Sequence, residues 1–362
     1  MKPKLKYMIL AVLLASFTGG LVNALARERR GTKKLKPMVI QISRAGRLPS
    51  FNGATQWFNS PPLTPASLRG KVVLVEFWTY TCINWRRTLP YVRAWAEKYK
   101  EQGLVVIGVH TPEFSFEKNA ENVRWALKDM NIGFPVAMDN NFGVWRAFDN
   151  QYWPALYFAD ANGVIRHHQF GEGNYEQSER VIQRLLSEAG VAGEAKVTEV
   201  KPEGVELAAD WAQLGSGENY LGYERTEHFA SPGGAIENRR TNYAVPGKLR
   251  LNEWALSGNW TMGPEANVGD AAGGRIVYRF HSRDVNLIMG PGVTGSPIRF
   301  RVLIDGQAPG VAHGVDVDGE GNGTVTNQRM YQLIRQPAPV LDREFVIEFI
   351  DPGVEVFDFT FG

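Results

Sequence analysis

The stretch Val72-Val-Leu-Val-Glu-Phe-Trp-Thr-Tyr-Thr-Cys-Ile-Asn-Trp-Arg-Arg-Thr-Leu-Pro90 decides the fold of this chain. Its apolar start, residues 72–75, predicts a buried strand, and the pattern breaks at residues 79–84. From Leu89 onward the apolar residues recur at helical spacing. Cys82 therefore lies where a strand gives way to a helix. Free N–H groups and the helix dipole favour a thiolate at such a position.

The length, composition and charge of the chain limit the classes of protein to which it could belong. A chain of 362 residues is long for one domain and comfortable for two, and 44% hydrophobic residues can build real cores. A formal charge of +2 gives no indication of a nucleic-acid partner. A single cysteine excludes an internal disulfide framework, so the cysteine count does not fix the compartment.

The N-terminus predicts export. Three lysines precede an apolar run over residues 8–22, and Ala24-Leu-Ala26 is a small-x-small cleavage site. We expect a signal peptide at 1–26, a basic tether at 27–47, and a periplasmic or secreted protein. The alternative is an uncleaved membrane anchor. The basic residues just past the apolar run resist export and therefore count against both interpretations.

Residues 48–190 alternate between strand and helix patterns, which predicts a three-layer α/β domain. The turn at 160–163 between two apolar runs predicts a closing hairpin. The predicted strands are 72–75, 104–109, 134–138, 153–158 and 164–170, and the predicted helices are 90–99, 117–130, 143–148 and 175–189.

Four words in this segment carry a family resemblance. They are Phe77-Trp-Thr-Tyr-Thr-Cys-Ile-Asn84, Val106-Ile-Gly-Val-His-Thr-Pro-Glu-Phe114, Tyr152-Trp-Pro-Ala155 and Phe170-Gly-Glu-Gly173. With them the segment resembles the thioredoxin-like (TlpA/redoxin-type) domain of the DipZ family. The resemblance implies that Pro154 is the cis-proline facing the active-site sulfur and that Glu76 is the buried acid beneath it.

The chain departs from the family at Trp85, where relatives carry a second active-site cysteine. An indole cannot attack a mixed disulfide, so a reacted Cys82 must be released by an outside thiol. In one interpretation, Cys82 is a reactive thiolate that Arg86 and Arg87 support and that attacks a disulfide or a peroxide. In the other, it is a vestigial cysteine in a fold that no longer performs redox chemistry. Trp78, Trp85 and Trp153 are candidates for binding a substrate peptide, or they simply fill space.

An acid, a threonine and three histidines are further candidate functional residues. Burial predicts a raised pKa for Glu76, whose role without a second cysteine is open. Thr79, three residues before Cys82, makes a weak match to thiol peroxidases. His110, His167 and His168 show no ligand spacing and are expected to be satisfied surface or edge histidines, so neither a metal nor a cofactor is expected.

A linker at 191–217, with one strand at 204–207, leads to residues 218–362. There short alternating strands and Gly/Pro turns predict an all-β sandwich. We expect Phe357, Phe359 and Phe361 to share one face, and the acidic loop 316–323 to be a polar turn rather than a calcium site.

Three words extend the resemblance over this half: Tyr220-Leu-Gly-Tyr-Glu-Arg225, Trp254-Ala-Leu-Ser-Gly-Asn-Trp260 and Arg299-Phe-Arg-Val-Leu-Ile-Asp-Gly306. They resemble the family's C-terminal jelly-roll (galactose-binding-like) module. That implies carbohydrate as a candidate ligand. Trp254, Trp260 and Tyr278 are either candidate stacking residues or, as is more common for aromatic residues of a sandwich, part of its core. The resemblance also leads us to expect a chain without the membrane-embedded domain of full-length relatives.

The sequence thus predicts an extracytoplasmic thioredoxin-like protein that performs monothiol exchange through Cys82. Its expected partners are protein thiols or disulfides and an external thiol donor. The alternatives are a redox-inactive binding or scaffold protein and, more weakly, a thiol peroxidase.

Overall fold

The computed structural model describes residues 46–191, 196–292 and 295–362, which belong to one compact unit. The predicted signal peptide and almost all of the predicted tether lie outside the described residues. Among the helices in those three ranges, none has the length and apolar character needed to cross a membrane.

The first half is a six-stranded sheet with helices on both faces, in the strand order β1-β4-β3-β2-β5-β6. Strands β2, β3 and β4 run parallel, and the other pairings are antiparallel. Its elements are β1 (Gln56–Phe58), β2 (Val72–Trp78), α1 (Ile83–Tyr99), β3 (Leu104–His110), α2 (Ala120–Asp129), β4 (Val136–Met138), α3 (Gly143–Ala147), β5 (Ala155–Ala159), β6 (Ile165–Phe170) and α4 (Tyr175–Glu188).

Strand β2 is central, and all seven of its residues are buried. Successive side chains alternate between the two faces of the sheet. Leu74 and Trp78 pack in the core that contains α1, α2 and α4, whereas Val75 and Phe77 pack in the core that contains α3. Glu76 lies two residues after Leu74 and two before Trp78, so its side chain faces the same side of the sheet as theirs, toward α1. This alternation places an acid directly under the helix that begins after Cys82.

The predicted thioredoxin-like α/β fold is confirmed. The predicted hairpin is also present, since β5 and β6 pair antiparallel across a turn in which Asp160 Oδ1 accepts the N–H groups of Asn162 and Val164 at 3.0 Å each. The helix predicted over 117–130 is two elements, a 3-10 helix at Ser115–Lys118 and then α2. Asn119 separates them because its side chain accepts from the Glu121 N–H and caps α2.

The second half is all-β and antiparallel, as predicted. Its strands follow the path β14-β13-β16-β11-β9-β10-β17-β12-β15, with β7 on β17 and β8 on β9. They are β7 (Asn219–Tyr220), β8 (Thr241–Tyr243), β9 (Trp254–Met262), β10 (Asn267–Gly269), β11 (Gly274–Phe280), β12 (Asp284–Pro291), β13 (Ile298–Ile304), β14 (Asn322–Val325), β15 (Arg329–Arg335), β16 (Arg343–Phe349) and β17 (Val354–Phe361).

This sheet curls around one apolar core. Phe345 on β16 meets Phe359 on β17 with ring centroids 5.8 Å apart, and Tyr278 on β11 meets Phe359 at 5.1 Å. Because these strands are not neighbours in the sheet, the contacts join its two facing layers. Trp254, Trp260 and Tyr278 belong to this core and are fully buried, so the structure favours the core role over stacking on a sugar.

Two further expectations are corrected. Phe357 does not share a face with Phe359 and Phe361. Val356 and Asp358 pair with two adjacent residues of β12, so Phe357 is the extra residue of a β-bulge, which interrupts the alternation of side chains. Residues Gly204–Glu206 form a 3-10 helix rather than a strand. The predicted boundaries at 190 and 218 stay predictions.

Candidate active site around Cys82

Cys82 is the residue that caps the N-terminus of α1. Its N–H donates to the Thr79 carbonyl at 3.3 Å, and its own carbonyl accepts from the Arg86 N–H at 3.0 Å. The buried strand β2 therefore passes into α1 within a few residues, as the sequence predicted. The sulfur lies 3.9 Å from the carbonyl oxygen of Trp153, whose peptide bond to Pro154 is cis. The structure thus brings Cys82 and Pro154 together, and the cysteine keeps partial exposure.

The protonation state of Cys82 differs from the expectation. Burial raises the pKa of the Cys82 thiol well above its usual range, and the negative charges of Glu113 and Glu218 raise it further. The backbone N–H groups of Trp85 and Asn84 favour the thiolate, but they do not outweigh these effects. Cys82 is therefore a thiol, rather than a thiolate, near neutral pH in this structure.

The two arginines that follow Cys82 do not serve its sulfur. Arg87 is 3% exposed and turns away, pairing with Glu172 at 3.1 Å and donating to the Phe361 carbonyl at 3.3 Å. Arg86 points into a cavity between the two domains. The expected support of a thiolate by these side chains is therefore corrected, because both guanidinium groups are directed elsewhere.

Acidic and aromatic residues from both domains meet beside the site. Tyr220 donates a hydrogen bond to Glu113, and Arg225 pairs with Glu113 at 3.2 Å while its guanidinium lies 3.2 Å from the centre of the Tyr220 ring. Asp358 on β17 is fully buried near Glu218, and the loss of hydration together with that negative charge raises its pKa well above the usual range. We call Glu113, Tyr220, Arg225, Glu218 and Asp358 the interdomain acidic cluster.

The β domain also packs on the rim of the site. The bulge turns Phe357 out of its own domain and onto Phe114 and Phe116, with ring centroids 5.4 and 4.7 Å apart. Nearby, Glu265 accepts the Ser115 N–H at 2.7 Å. Together with Arg87, these contacts tie the first turn of α1 and the loop after β3 to the β domain.

Beneath Cys82, Trp85 occupies the place where relatives carry the second cysteine. Its side chain is 0% exposed and stacks on Trp78 with centroids 4.3 Å apart. Neither indole presents a surface to a substrate, which corrects the expectation for Trp78 and Trp85. Trp153 is half-buried, and its indole N–H donates to the Thr111 carbonyl at 3.1 Å.

Two buried titratable groups lie on the same face of the sheet as Trp78. Burial raises the pKa of Glu76 to about 8, with Trp85 lowering it slightly. His110 pairs with Trp78 in register, and burial lowers its pKa to about 3. Neither carboxylate oxygen of Glu76 and neither ring nitrogen of His110 has a hydrogen-bond partner among the described residues. His110 is therefore not the satisfied surface histidine that was expected.

The acidic loop of the β domain is held by its own contacts. Asp316 pairs with Arg329 at 2.6 Å and accepts the Gln332 N–H at 2.8 Å. Asp318 accepts the Asn322 N–H at 2.8 Å within a tight turn. The carboxylates of Asp316 and Asp318 thus have partners within the β domain.

The sequence interpretation missed the interdomain acidic cluster. Glu113, Tyr220 and Arg225 stand inside the words that carried the family resemblance, yet nothing in one chain shows that these words meet in space. Asp358 alternates with phenylalanines in a strand pattern and reads there as an ordinary outward-facing residue.

Comparison with known proteins agrees with this architecture. Residues 46–168 match the AhpC/TSA family, and residues 216–362 match the family described as thioredoxin like C-terminal domain. The two parts of the chain thus resemble these two families, one in each half of the described structure.

Protein DipZ of Mycobacterium bovis is 36% identical over 277 residues, which cover 75% of this chain and 39% of DipZ. The predicted resemblance to DipZ is therefore confirmed, and the chain spans less than half of that relative. Thiol-disulfide oxidoreductase YkuV of Bacillus subtilis is 28% identical over 141 residues, covering 39% of this chain and 95% of YkuV. A solution structure of a thioredoxin-like protein in the oxidized form matches 40% of this chain and 97% of its own, with 29% identity and a TM-score of 0.37.

Proposed function

We propose that this protein performs monothiol thiol–disulfide exchange through Cys82 on protein partners outside the cytoplasm. The observation that carries the proposal is the position of Cys82, a partly exposed residue at the N-terminus of α1 whose sulfur lies 3.9 Å from the Trp153 carbonyl and next to Pro154. The likeness to a protein named thiol-disulfide oxidoreductase supports the same chemistry. The predicted signal peptide, or an uncleaved anchor in its place, supports the location.

The reaction has two steps. The Cys82 thiol loses its proton to solvent, and the thiolate attacks one sulfur of a partner's disulfide, whose other sulfur leaves as a thiolate. An outside thiolate then attacks the partner's sulfur in the mixed disulfide, and Cys82 leaves and takes up a proton. Trp85 carries no sulfur, so internal resolution by that residue is impossible. Because the pKa of Cys82 is raised, the first step is slow at neutral pH and speeds up as pH rises.

The test is to expose the protein to a disulfide-bonded model peptide at pH 7 and pH 9 and to follow adducts by mass spectrometry. We expect one mixed disulfide, at Cys82, that forms faster at pH 9 and disappears only when a thiol is added. Cys82→Ser should form none. Absence of an adduct at both pH values would overturn the proposal, and conversion of the thiol to a sulfenic acid by peroxide, faster than reaction with disulfide, would favour a peroxidase instead.

The second candidate is a binding or scaffold protein without redox activity. The observation that favours it is the interdomain acidic cluster, which disfavours the reactive thiolate. This candidate predicts that iodoacetamide modifies Cys82 far more slowly than an unfolded cysteine peptide even at a pH where that peptide is fully ionised. Modification at a comparable rate under those conditions would contradict it.

A further inference from the structure

A cavity of about 400 Å³ opens between the two domains, one helical turn from Cys82. It is bounded by α1, by the end of α2 and by the β domain. The polar residues that line it and bear on the inference are Arg86, Asp129, Asp316, Asn327, Arg329 and Gln332. The volume lies at the lower end of the range of about 300–1,000 Å³ that small-molecule sites occupy.

Arg86 brings to this cavity a positive charge that the nearby carboxylates of Glu206 and Asp129 compensate only in part. Its Nε is buried, and its guanidinium has neither a hydrogen bond nor an ion pair with any residue of the described ranges. The other guanidinium, on Arg329, is already paired with Asp316 and stacked on the Tyr331 ring, 3.7 Å from its centre. A buried cation without a partner is costly, so an anionic group placed at Arg86 would gain a charge-assisted hydrogen bond.

The lining of the cavity also offers acceptors. Gln332 is 2% exposed, and its Oε1 has no hydrogen-bond partner within the described part of the chain. Asp129, at the end of α2, likewise has no ion pair there, whereas Asp316 is engaged by Arg329. The cavity thus combines a free guanidinium with a free carboxylate and a free amide oxygen.

We propose that this cavity binds a small amino-carboxylate, with its carboxylate at Arg86 and its ammonium group facing Asp129 and Gln332. Arg86 suits a carboxylate because its planar fork of donors matches two oxygens. A ligand with a single charge would satisfy only one side of the cavity.

The position also suggests what this ligand does, an assignment that rests on the proposed function. The Arg86 N–H donates to the Cys82 carbonyl at 3.0 Å, so the two residues are one turn, about 5.4 Å of rise, apart on α1. A peptide extends by about 3.3–3.6 Å per residue. The ligand assigned to this cavity is therefore a cysteine-containing peptide, which is long enough to span this rise from Arg86 and would serve as the outside thiol that releases Cys82. Its thiolate bonds to the partner's sulfur, the Cys82–partner bond breaks, and Cys82 takes up a proton.

Binding is tested without the reaction. Glutathione methylated on sulfur is titrated calorimetrically into the full chain carrying Cys82→Ser. We expect binding that Arg86→Met weakens at least tenfold and that Arg180→Met, an exposed cation on α4, leaves unchanged. Arg86→Met should not unfold the protein, because it removes a buried charge without a partner. Equal affinity in the two arginine variants, absence of binding, or equally tight binding of inorganic phosphate would overturn the amino-carboxylate site.

Release is tested on the reactive chain. Cys82 is joined in a mixed disulfide to a model peptide, and mass spectrometry follows the return of free Cys82 with glutathione or with 2-mercaptoethanol. We expect Arg86→Met to slow release by glutathione about tenfold and to leave release by 2-mercaptoethanol unchanged. If both thiols act equally on wild type and variant, the assignment as resolving thiol is wrong. If Cys82 forms no mixed disulfide at all, the proposed function fails, and the titration on Cys82→Ser still decides whether the cavity binds.

Discussion

At the scale of single residues, Trp85 has two roles that the structure separates. It excludes internal resolution of a mixed disulfide, and it fills the core by stacking on Trp78. Replacing it therefore changes chemistry and stability together. The first role follows from the sequence alone, because it needs only the spacing from Cys82. The second required the structure, because Trp78 and Trp85 meet across a strand and a helix.

Trp85→Cys should create a dithiol site at a cost in stability. The smaller side chain leaves a cavity under α1, so we expect the reduced variant to lose about 3 kcal/mol of unfolding free energy. Mild oxidation should then remove both thiols through a bond between positions 82 and 85. Denaturant unfolding and thiol titration check this. Trp211→Cys, at a tryptophan that is 61% exposed, is the control and should cost little and keep both thiols free. Two free thiols in the Trp85 variant after oxidation would refute the prediction.

Glu113 contributes to the weak acidity of Cys82. Removing its negative charge with Glu113→Gln should lower the pKa of the thiol, because a nearby like charge disfavours the thiolate. The rate of iodoacetamide modification, measured against pH, gives that pKa directly. Glu121→Gln alters an exposed acid on α2 and should leave the profile unchanged. Overlapping profiles for wild type and Glu113→Gln would show that burial alone raises the pKa.

At the scale of elements, strand β17 shows how far the sequence pattern reaches. Alternation correctly predicted the strand and the inward side chains of Phe359 and Phe361. It failed at Phe357 because the bulge arises from the pairing of β17 with β12, which no property of β17 alone encodes. Similarly, β3 was predicted, but the burial of His110 depends on Trp78, which meets its ring edge-on, and on Tyr80, which stacks on it.

The outward turn of Phe357 predicts a measurable cost. Phe357→Ala removes a buried ring from Phe114 and Phe116, so we expect a loss of about 3–5 kcal/mol of unfolding free energy. Phe170→Ala, at a ring that is 39% exposed, should cost much less. Denaturant unfolding of both variants provides the comparison. A cost for Phe357→Ala no greater than that of the control would mean that the interdomain contact is weak in solution.

Glu76 on β2 predicts a pH dependence of stability. The folded chain keeps the Glu76 proton up to a pKa of about 8, whereas the unfolded chain releases it near 4.5. The folded state therefore binds more protons in this window, and the unfolding free energy falls as pH rises, by up to about 1.4 kcal/mol per unit for one group. His110 acts with the opposite sign and only below pH 6.5, because its pKa is lowered to about 3.

The measurement compares unfolding free energies of wild type and Glu76→Gln between pH 7 and 8. We expect the wild type to lose stability with rising pH more steeply than the variant, since glutamine carries no proton to release. Parallel curves would show that Glu76 is already ionised in the folded protein.

At the scale of the whole molecule, two domains predicted separately from sequence share one site. The sequence motifs located each domain and the active-site cysteine, because such motifs depend only on the spacing of residues close together in the chain. They did not show that Glu113 would meet Tyr220 and Arg225, since 107 residues separate Glu113 from Tyr220. Contacts between domains depend on surfaces that a single sequence does not pair.

Replacing Arg87 tests how strongly the two domains are held together, because its side chain links α1 to the Phe361 carbonyl of the β domain. Arg87→Met leaves Glu172 buried without its partner and removes the bond to the Phe361 carbonyl, so we expect a loss of about 3 kcal/mol or more in unfolding free energy. The double variant Arg87→Met with Glu172→Gln should recover part of that loss, because it removes the orphaned charge. Denaturant unfolding of the four proteins in this cycle gives the coupling. Simple additivity would indicate that the two side chains do not interact.

The two acids whose charges act on the sulfur, Glu113 and Glu218, come from different halves of the chain, and this determines how the thiol should be studied. A truncated chain that ends before Glu218 would place the same cysteine in a different electrostatic environment. Its titration curve and its reaction rates would describe that shorter molecule, so the thiol has to be studied in the intact chain.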